Sequence, residues 1–338
     1  HWRDWSSDVC SSDLFILVSL QTHDLMDTTV TRAPNSLSDG ELLSFESGDA
    51  EHPIFVRCIK PRNSLSQRLP VVMLHGGFHT GDAYWQCPDG RLGWAYRFAE
   101  RGHCVYVPDW PAHGKSPGIE HIADLGTLDI ACSISKLLET TGQAILLAHS
   151  AAGPIAWWLA EHRTELVAAI VGIAPGSPAN LLPVLSDDPQ AIALLQNDAG
   201  AGFPVYSPPG KPVTVDASFI RGFWANSPLF PSEYLQEYAR TVVPESPRLL
   251  NERFNIGGKG LRLSEENQVG KRPILIVTGE LDLRHPKSKD EELARYLGAD
   301  HVWLPDIGIR GNGHMLMLEQ NSDDIAAVLT HWLQTQGY

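Results

Sequence analysis

The segment AILLAHSAAGPIAWWLAEH, residues 144–162, constrains this chain more than any other. Ala144 to Ala148 read as a short, wholly apolar strand and Ala151 to Glu161 as an apolar helix, so Ser150 falls at the junction. A serine on a sharp strand-to-helix turn needs small neighbours, because the tight backbone leaves no room for larger side chains. Ala148 and Ala152, two residues to either side, meet that need. Such a turn lifts the hydroxyl above the sheet. It also brings the next backbone N–H to a helix N-terminus, where it can donate to a developing oxyanion. Serines that only cap helices occur in similar strings, so the rest of the chain decides what this one is for.

Three other segments bear on the same chemistry. In LPVVMLHGGFHTG, an apolar run from Val71 to Leu74 ends in His75-Gly76-Gly77-Phe78, and glycines there let backbone approach a substrate closely. RPILIVTGELDLRHP gives a buried strand, Ile274 to Thr278, then a turn carrying Glu280 and Asp282. HVWLPDIGIRGNGHMLMLEQ gives another strand and a Gly-rich loop that delivers His314. Serine, acid and histidine thus stand in that order at the ends of separate strand patterns.

On these motifs the chain resembles the α/β-hydrolase superfamily from about Gly40 to the C-terminus. There, the order Ser, acid, His and an HGG-type oxyanion loop go together. The stretch HGGFHTGDAYWQCPDGRLGWAYRFAERGHCVYVPDWPAHGKSP is similar to a divergent bacterial and fungal esterase group with a PDGR-x-GWA segment and a D-x-P-x-x-G-x-S turn. In some of those relatives the acid follows strand six. Here AAIVGIAPG has Ala174 at that place, which leaves the strand-seven turn, Gly279 to Asp282. The resemblance implies an α/β fold, a mostly parallel central sheet with helices on both faces and a cap inserted between strands six and seven. It implies Ser150 as nucleophile, His314 as base and Asp282 rather than Glu280 as the orienting acid. Backbone N–H groups of Ala151 and of Gly77 or Phe78 would form the oxyanion hole. Of the other histidines, His75 and His113 read as braces of their turns, and His149 as packing beneath the nucleophile.

Strand patterns at Val71–Leu74, Cys104–Pro108, Ala144–Ala148, Ala168–Ile173, Ile274–Thr278 and His301–Leu304 alternate with helical ones, as in a parallel sheet covered on both faces. Before them, Asp39 to Lys60 reads as two antiparallel edge strands. The regularity breaks after Ala174 in a stretch rich in Pro, Gly, Ser and Asn. The expected organisation is a core of residues 39–174 and 273–338 with a cap of residues 175–272. The cap's Phe219, Phe223 and Trp224 are expected to line an apolar substrate pocket. Residues 1–25 are set aside. His1 to Leu14, HWRDWSSDVCSSDL, looks like a translated sequencing adapter in a metagenome-derived reading frame, with Met26 a candidate natural start.

With 26 basic and 40 acidic residues the net charge is −14, which argues against nucleic acid, anionic membrane surfaces and polyanionic substrates. There is no C-x-x-C pair, and no metal or cofactor is expected. Pairing of Cys58 with Cys87 stays open. The expected activity is hydrolysis of a small neutral carboxylic ester or lactone through an acyl-enzyme. Alternatives are an amidase or carbon–carbon bond hydrolase on the same triad, or a cofactor-free dioxygenase or lyase using the His–Asp dyad. No integral membrane segment is expected. A cytoplasmic location is the first expectation, with a secreted or periplasmic one open because the native N-terminus is uncertain. Oligomeric state is not legible.

Overall fold

The computed structural model describes residues 40–61, 68–195, 205–264 and 269–338. The N-terminal head set aside above lies outside these residues. Eight strands, β1 (Gly40–Gly48), β2 (Pro53–Pro61), β3 (Val71–Leu74), β4 (Val105–Pro108), β5 (Ala144–His149), β6 (Val167–Ile173), β7 (Ile274–Thr278) and β8 (Asp300–Trp303), form one sheet. Their order is β1-β2-β4-β3-β5-β6-β7-β8. The β1–β2 hairpin and the β2–β4 pair are antiparallel, and the remaining pairs are parallel. The strand direction of growth reverses at β3, between β4 and β5, which is where open α/β sheets leave a crevice at the carboxyl ends of their strands.

The inner strands are buried on both faces, which is why they read as unbroken apolar runs rather than as alternation. Successive residues still divide between two cores. Val71, Met73, Ile145, Leu147, Val171 and Leu275 face one apolar cluster. Helices α1 (Trp94–Glu100) and α9 (Ser322–Thr335) contribute Phe98 and Leu329 to it. Val72, Leu74, Leu146, Ala148, Ile170 and Ile276 face the other, with Ile134 of α2 (Thr127–Thr141), Ile155 of α3 (Gly153–His162) and Leu293 of α8 (Lys287–Leu297).

Between β6 and β7 the chain leaves the alternation. Short helices α4 (Pro189–Leu195), α5 (Ala217–Phe219, continued by a π turn over Ile220–Trp224), α6 (Leu235–Thr241) and α7 (Pro247–Arg253) lie there. Phe219, Trp224, Phe230 and Tyr238 join the cluster that contains Phe78, and the described residues from Gly40 onward fall in one compact unit. Helix α7 has a local signature: the Ser246 hydroxyl accepts the Leu249 N–H at 3.2 Å and Pro247 stands at its first position. Cys58 and Cys87 are separate free thiols. No helix among the described residues is long and apolar enough to cross a membrane.

Candidate active site

Ser150 stands where β5 gives way to α3, with φ of +51°. A non-glycine residue in that left-handed region is strained, and the surrounding contacts hold it there. The packing explains the small residues. A Cβ on Gly153 would lie 2.3 Å from the Gly176 carbonyl oxygen, and one on Gly76 would lie 3.0 Å from Ser150 Cβ. The Gly176 N–H donates to the Ser150 carbonyl at 2.7 Å, tying the turn to the loop after β6.

His314 and Asp282 arrive on two loops that are stitched together. The Leu281 N–H donates to the Asn312 carbonyl at 2.8 Å. A Cβ on Gly279 would come within 2.4 Å of the Gly313 oxygen, so only glycine allows this approach. Within the resulting site, His314 Nδ1 lies 2.7 Å from Asp282 Oδ2 and His314 Nε2 lies 3.1 Å from Ser150 Oγ. Asp282 Oδ1 also accepts the backbone N–H groups of Arg284 (2.9 Å) and His285 (3.2 Å). Glu280 instead accepts the Gly311 N–H at 2.8 Å and faces Arg310 at 3.3 Å.

The electrostatics follow from burial and pairing. Burial pushes the Asp282 carboxyl up, but the facing His314, with the nearby His285 and the Arg284 N–H, outweighs it and holds the group well below the usual carboxylate range. Burial also lowers His314, more than Asp282 raises it, so the ring is neutral near pH 7. With Nδ1–H directed at Asp282, its Nε2 is free to accept the serine proton.

Braces hold the histidine loop. The Glu319 carboxylate accepts the Gly313 N–H at 2.7 Å and a proton of the Asn312 amide at 2.5 Å. Burial raises Glu319 to about 7. Arg91, in the PDGR motif, donates to the carbonyls of Leu318 (3.3 Å), Glu319 (3.1 Å) and Gln320 (3.3 Å) and to Ser322 Oγ (3.0 Å). Trp94 Nε1 donates to the Ser322 carbonyl at 2.9 Å. The motif thus serves His314 from a distance. His149 packs beneath the site, its Nε2 donating to the His314 carbonyl at 3.1 Å.

The oxyanion loop is held just as firmly. His75 Nδ1 donates to the Gly76 carbonyl at 2.8 Å while its Nε2 accepts the Trp110 N–H at 3.0 Å. His79 donates to the Gly77 carbonyl at 2.7 Å and accepts from the Tyr238 hydroxyl at 2.8 Å. Asp109 accepts the Gly81 N–H at 2.8 Å, which ties the D-x-P-x-x-G-x-S turn to the same loop.

One expected donor is corrected. The Phe78 N–H points at the buried carboxylate of Glu245, 2.8 Å away, and is therefore engaged. That carboxylate also accepts the Ser246 N–H at 2.7 Å and faces His113 Nε2 at 3.2 Å. Gly77 and Ala151 remain as the candidate donors. They are neighbours: a Cβ on Gly77 would lie 3.6 Å from that of Ala151.

The expected cap aromatics pack inward. Trp224 lies 5.6 Å from the Phe78 ring and 4.7 Å from His79, and Phe219 and Phe223 stack at 4.8 Å. The cavity of about 240 Å³ that touches Ala151 is lined instead by Leu249, Arg253, Phe254, Arg284 and His285, among others. Neither it nor a larger one of about 400 Å³ beside His79 and Tyr238 is lined by Ser150, Asp282 or His314 themselves. Glu245 and Arg253 were not anticipated from sequence. Glu245 stands just before helix α7 and Arg253 ends it, and the helix's Ser246-Pro247 start is the signal that could have drawn attention to them. No group of side chains suited to a metal ion occurs among the described residues.

The profile of the alpha/beta hydrolase family matches residues 71–328 of this chain. Among characterised sequences it is similar to a protein described as a probable secreted lipase, phiG, from Fungal sp. (strain ATCC 74256). The two are 25% identical over 342 residues, covering 84% of this chain and 86% of the relative. Among solved structures it superposes on a bacterial esterase with TM-score 0.57 at 15% identity, over 91% of this chain and 100% of that one. Est816, described as an N-acyl homoserine lactone degrading enzyme, gives TM-score 0.57 at 20% identity, over 85% and 99%. An esterase from Exiguobacterium antarcticum gives 0.58 at 17%, over 86% and 100%.

Proposed function

The chain belongs to the alpha/beta hydrolase family, and on that premise we propose that it is a serine hydrolase cleaving a small carboxylic ester or lactone through an acyl-enzyme. The observation that carries this reading is the continuous relay from Ser150 Oγ through His314 to Asp282, at 3.1 and 2.7 Å. Attack by Ser150 on the carbonyl carbon passes its proton to His314 Nε2, which then returns it to the leaving alcohol. Asp282 keeps the imidazole in the tautomer that can accept and stabilises the cation that forms. The Gly77 and Ala151 N–H groups are the donors for the tetrahedral oxyanion, each worth about 3–4 kcal/mol by analogy with measured oxyanion donors. Water, activated by the same histidine, then releases the acid. The lipase and esterase descriptions of the relatives support the ester as substrate.

Ser150→Ala tests this. Turnover of short p-nitrophenyl esters should fall by a factor on the order of 10⁶, leaving the residual rate typical of a site with its oxyanion donors intact. An organophosphonate should label the wild-type protein once, on Ser150. Unchanged turnover in the variant would remove the serine from the chemistry and favour a histidine–acid reaction on the same fold.

A further inference from the structure

The cavity against Ala151 carries charge that the acyl-transfer relay does not use. Arg253, the last residue of α7, is half-buried on its wall. Among the described residues no carboxylate or hydrogen-bond acceptor pairs with its guanidinium, which lies 6.0 Å from the Phe254 ring. It sits near enough to the triad that its charge is felt at His314, while Asp282 and Glu245 act on it in turn. Arg284, two residues beyond the acid, lines the same space and lies 5.9 and 5.8 Å from the rings of Phe219 and Phe223. Burial and repulsion by Arg253 lower it to about 9.

A third polar group faces this cavity. His285 is buried, its ring stacked on His314 at 5.5 Å, and its Nδ1 lies 3.3 Å from Asp290 Oδ1. Its Nε2 has no hydrogen-bond partner. The two carboxylates of this wall are already occupied. Glu252 faces Arg248 at 2.9 Å and accepts the Thr127 N–H at 2.7 Å, while Asp290 takes the Thr278 hydroxyl at 2.7 Å. The Arg253 guanidinium, unpaired among the described residues on the wall of this small space, is the group that an anion completes. A half-buried guanidinium gains from a partner, and a planar carboxylate matches its fork of donors.

We propose that this cavity is a carboxylate subsite, so that the preferred substrate is an ester bearing a second, ionised carboxyl group rather than a neutral one. This rests on the hydrolase reading above. Arg253 is the anchor, and Arg284 lines the same space. The chain-wide charge of −14 does not oppose this, because water and salt screen distant surface carboxylates while the local cations act at contact range.

The test compares charged and isosteric neutral esters by proton release. Monomethyl glutarate is set against methyl glutaramate for an acyl-side carboxylate, and 4-acetoxybutanoate against 4-acetoxybutanamide for an alcohol-side one. In one of these pairs the anion should be favoured at least tenfold in kcat/KM, chiefly through KM. Arg253→Met should collapse that ratio toward one, and Arg253→Lys should restore part of it. Free glutarate should raise the melting temperature of the wild type and not of Arg253→Met. Hydrolysis of the neutral esters with no preference in either pair would overturn the subsite and leave the hydrolase standing. Arg253-dependent stabilisation by glutarate without hydrolysis of any ester would do the reverse.

Discussion

At the scale of single residues, the choice between Asp282 and Glu280 turns on which carboxylate the histidine ring meets. Asp282 Oδ2 touches His314 Nδ1, whereas Glu280 spends its oxygens on Gly311 and Arg310. Asp282→Asn should therefore lower kcat on a short p-nitrophenyl ester by a factor on the order of 10⁴, as the amide favours the wrong imidazole tautomer. Glu280→Gln should stay within a few-fold of wild type, and the opposite ranking would transfer the acid role. The pH profile carries a second prediction. His314 must be neutral to accept a proton, and burial holds its pKa below the ordinary value. The acid limb of kcat/KM should then have its midpoint below about 6.5, the unperturbed histidine value. A midpoint at or above that value would show that His314 is not the titrating base.

At the scale of elements, the buried His113–Glu245 pair is the link between the turn after β4, the oxyanion loop and the segment entering α7. Burial alone would lower His113, but Glu245 lies against it and raises it above the ordinary histidine value. Burial alone would raise Glu245, but His113 and two backbone donors lower it. The signs set the pH window. A depressed carboxyl contributes stability above its unfolded pKa and loses it as pH falls through the folded one. A raised histidine contributes below its unfolded pKa and loses it as pH rises through the folded one. The pair is thus most stabilising between about 4.5 and 6.5, the two unfolded values. Glu245→Gln should destabilise by about 3–5 kcal/mol there, since it leaves a buried imidazole without its counter-charge. Thermal melts at several pH values would check this. A loss independent of pH would mean that only packing was removed.

For the molecule as a whole, the question is whether the insertion's aromatics serve as lid or as packing. Trp224 is 5% exposed and wedged among Phe78, His79 and Phe219. Trp224→Ala should cost about 3–5 kcal/mol of stability and lower turnover on all esters alike. If melting is unaffected while acyl-chain preference shifts, the ring faces substrate instead.

Much of this protein was legible in the chain alone. Buried parallel strands must be continuous apolar runs, so β3, β5, β6 and β7 could be placed closely from residue type. A strained serine turn admits only small neighbours, so the turn at Ser150 could be placed from sequence, as could the loops that carry Asp282 and His314 from strand ends and glycines. What the chain could not state is which groups meet across distance. Phe78 and Glu245 are 167 residues apart, and the hydrogen bond that occupies the Phe78 N–H exists only once the insertion packs back. Likewise nothing in the sequence singles out Arg253. Its place on the cavity that Ala151 also lines, with no paired carboxylate among the described residues, is decided by how the insertion folds back. Periodicity and turn chemistry are local and survive in sequence, whereas charge pairing depends on distances that only the folded chain sets.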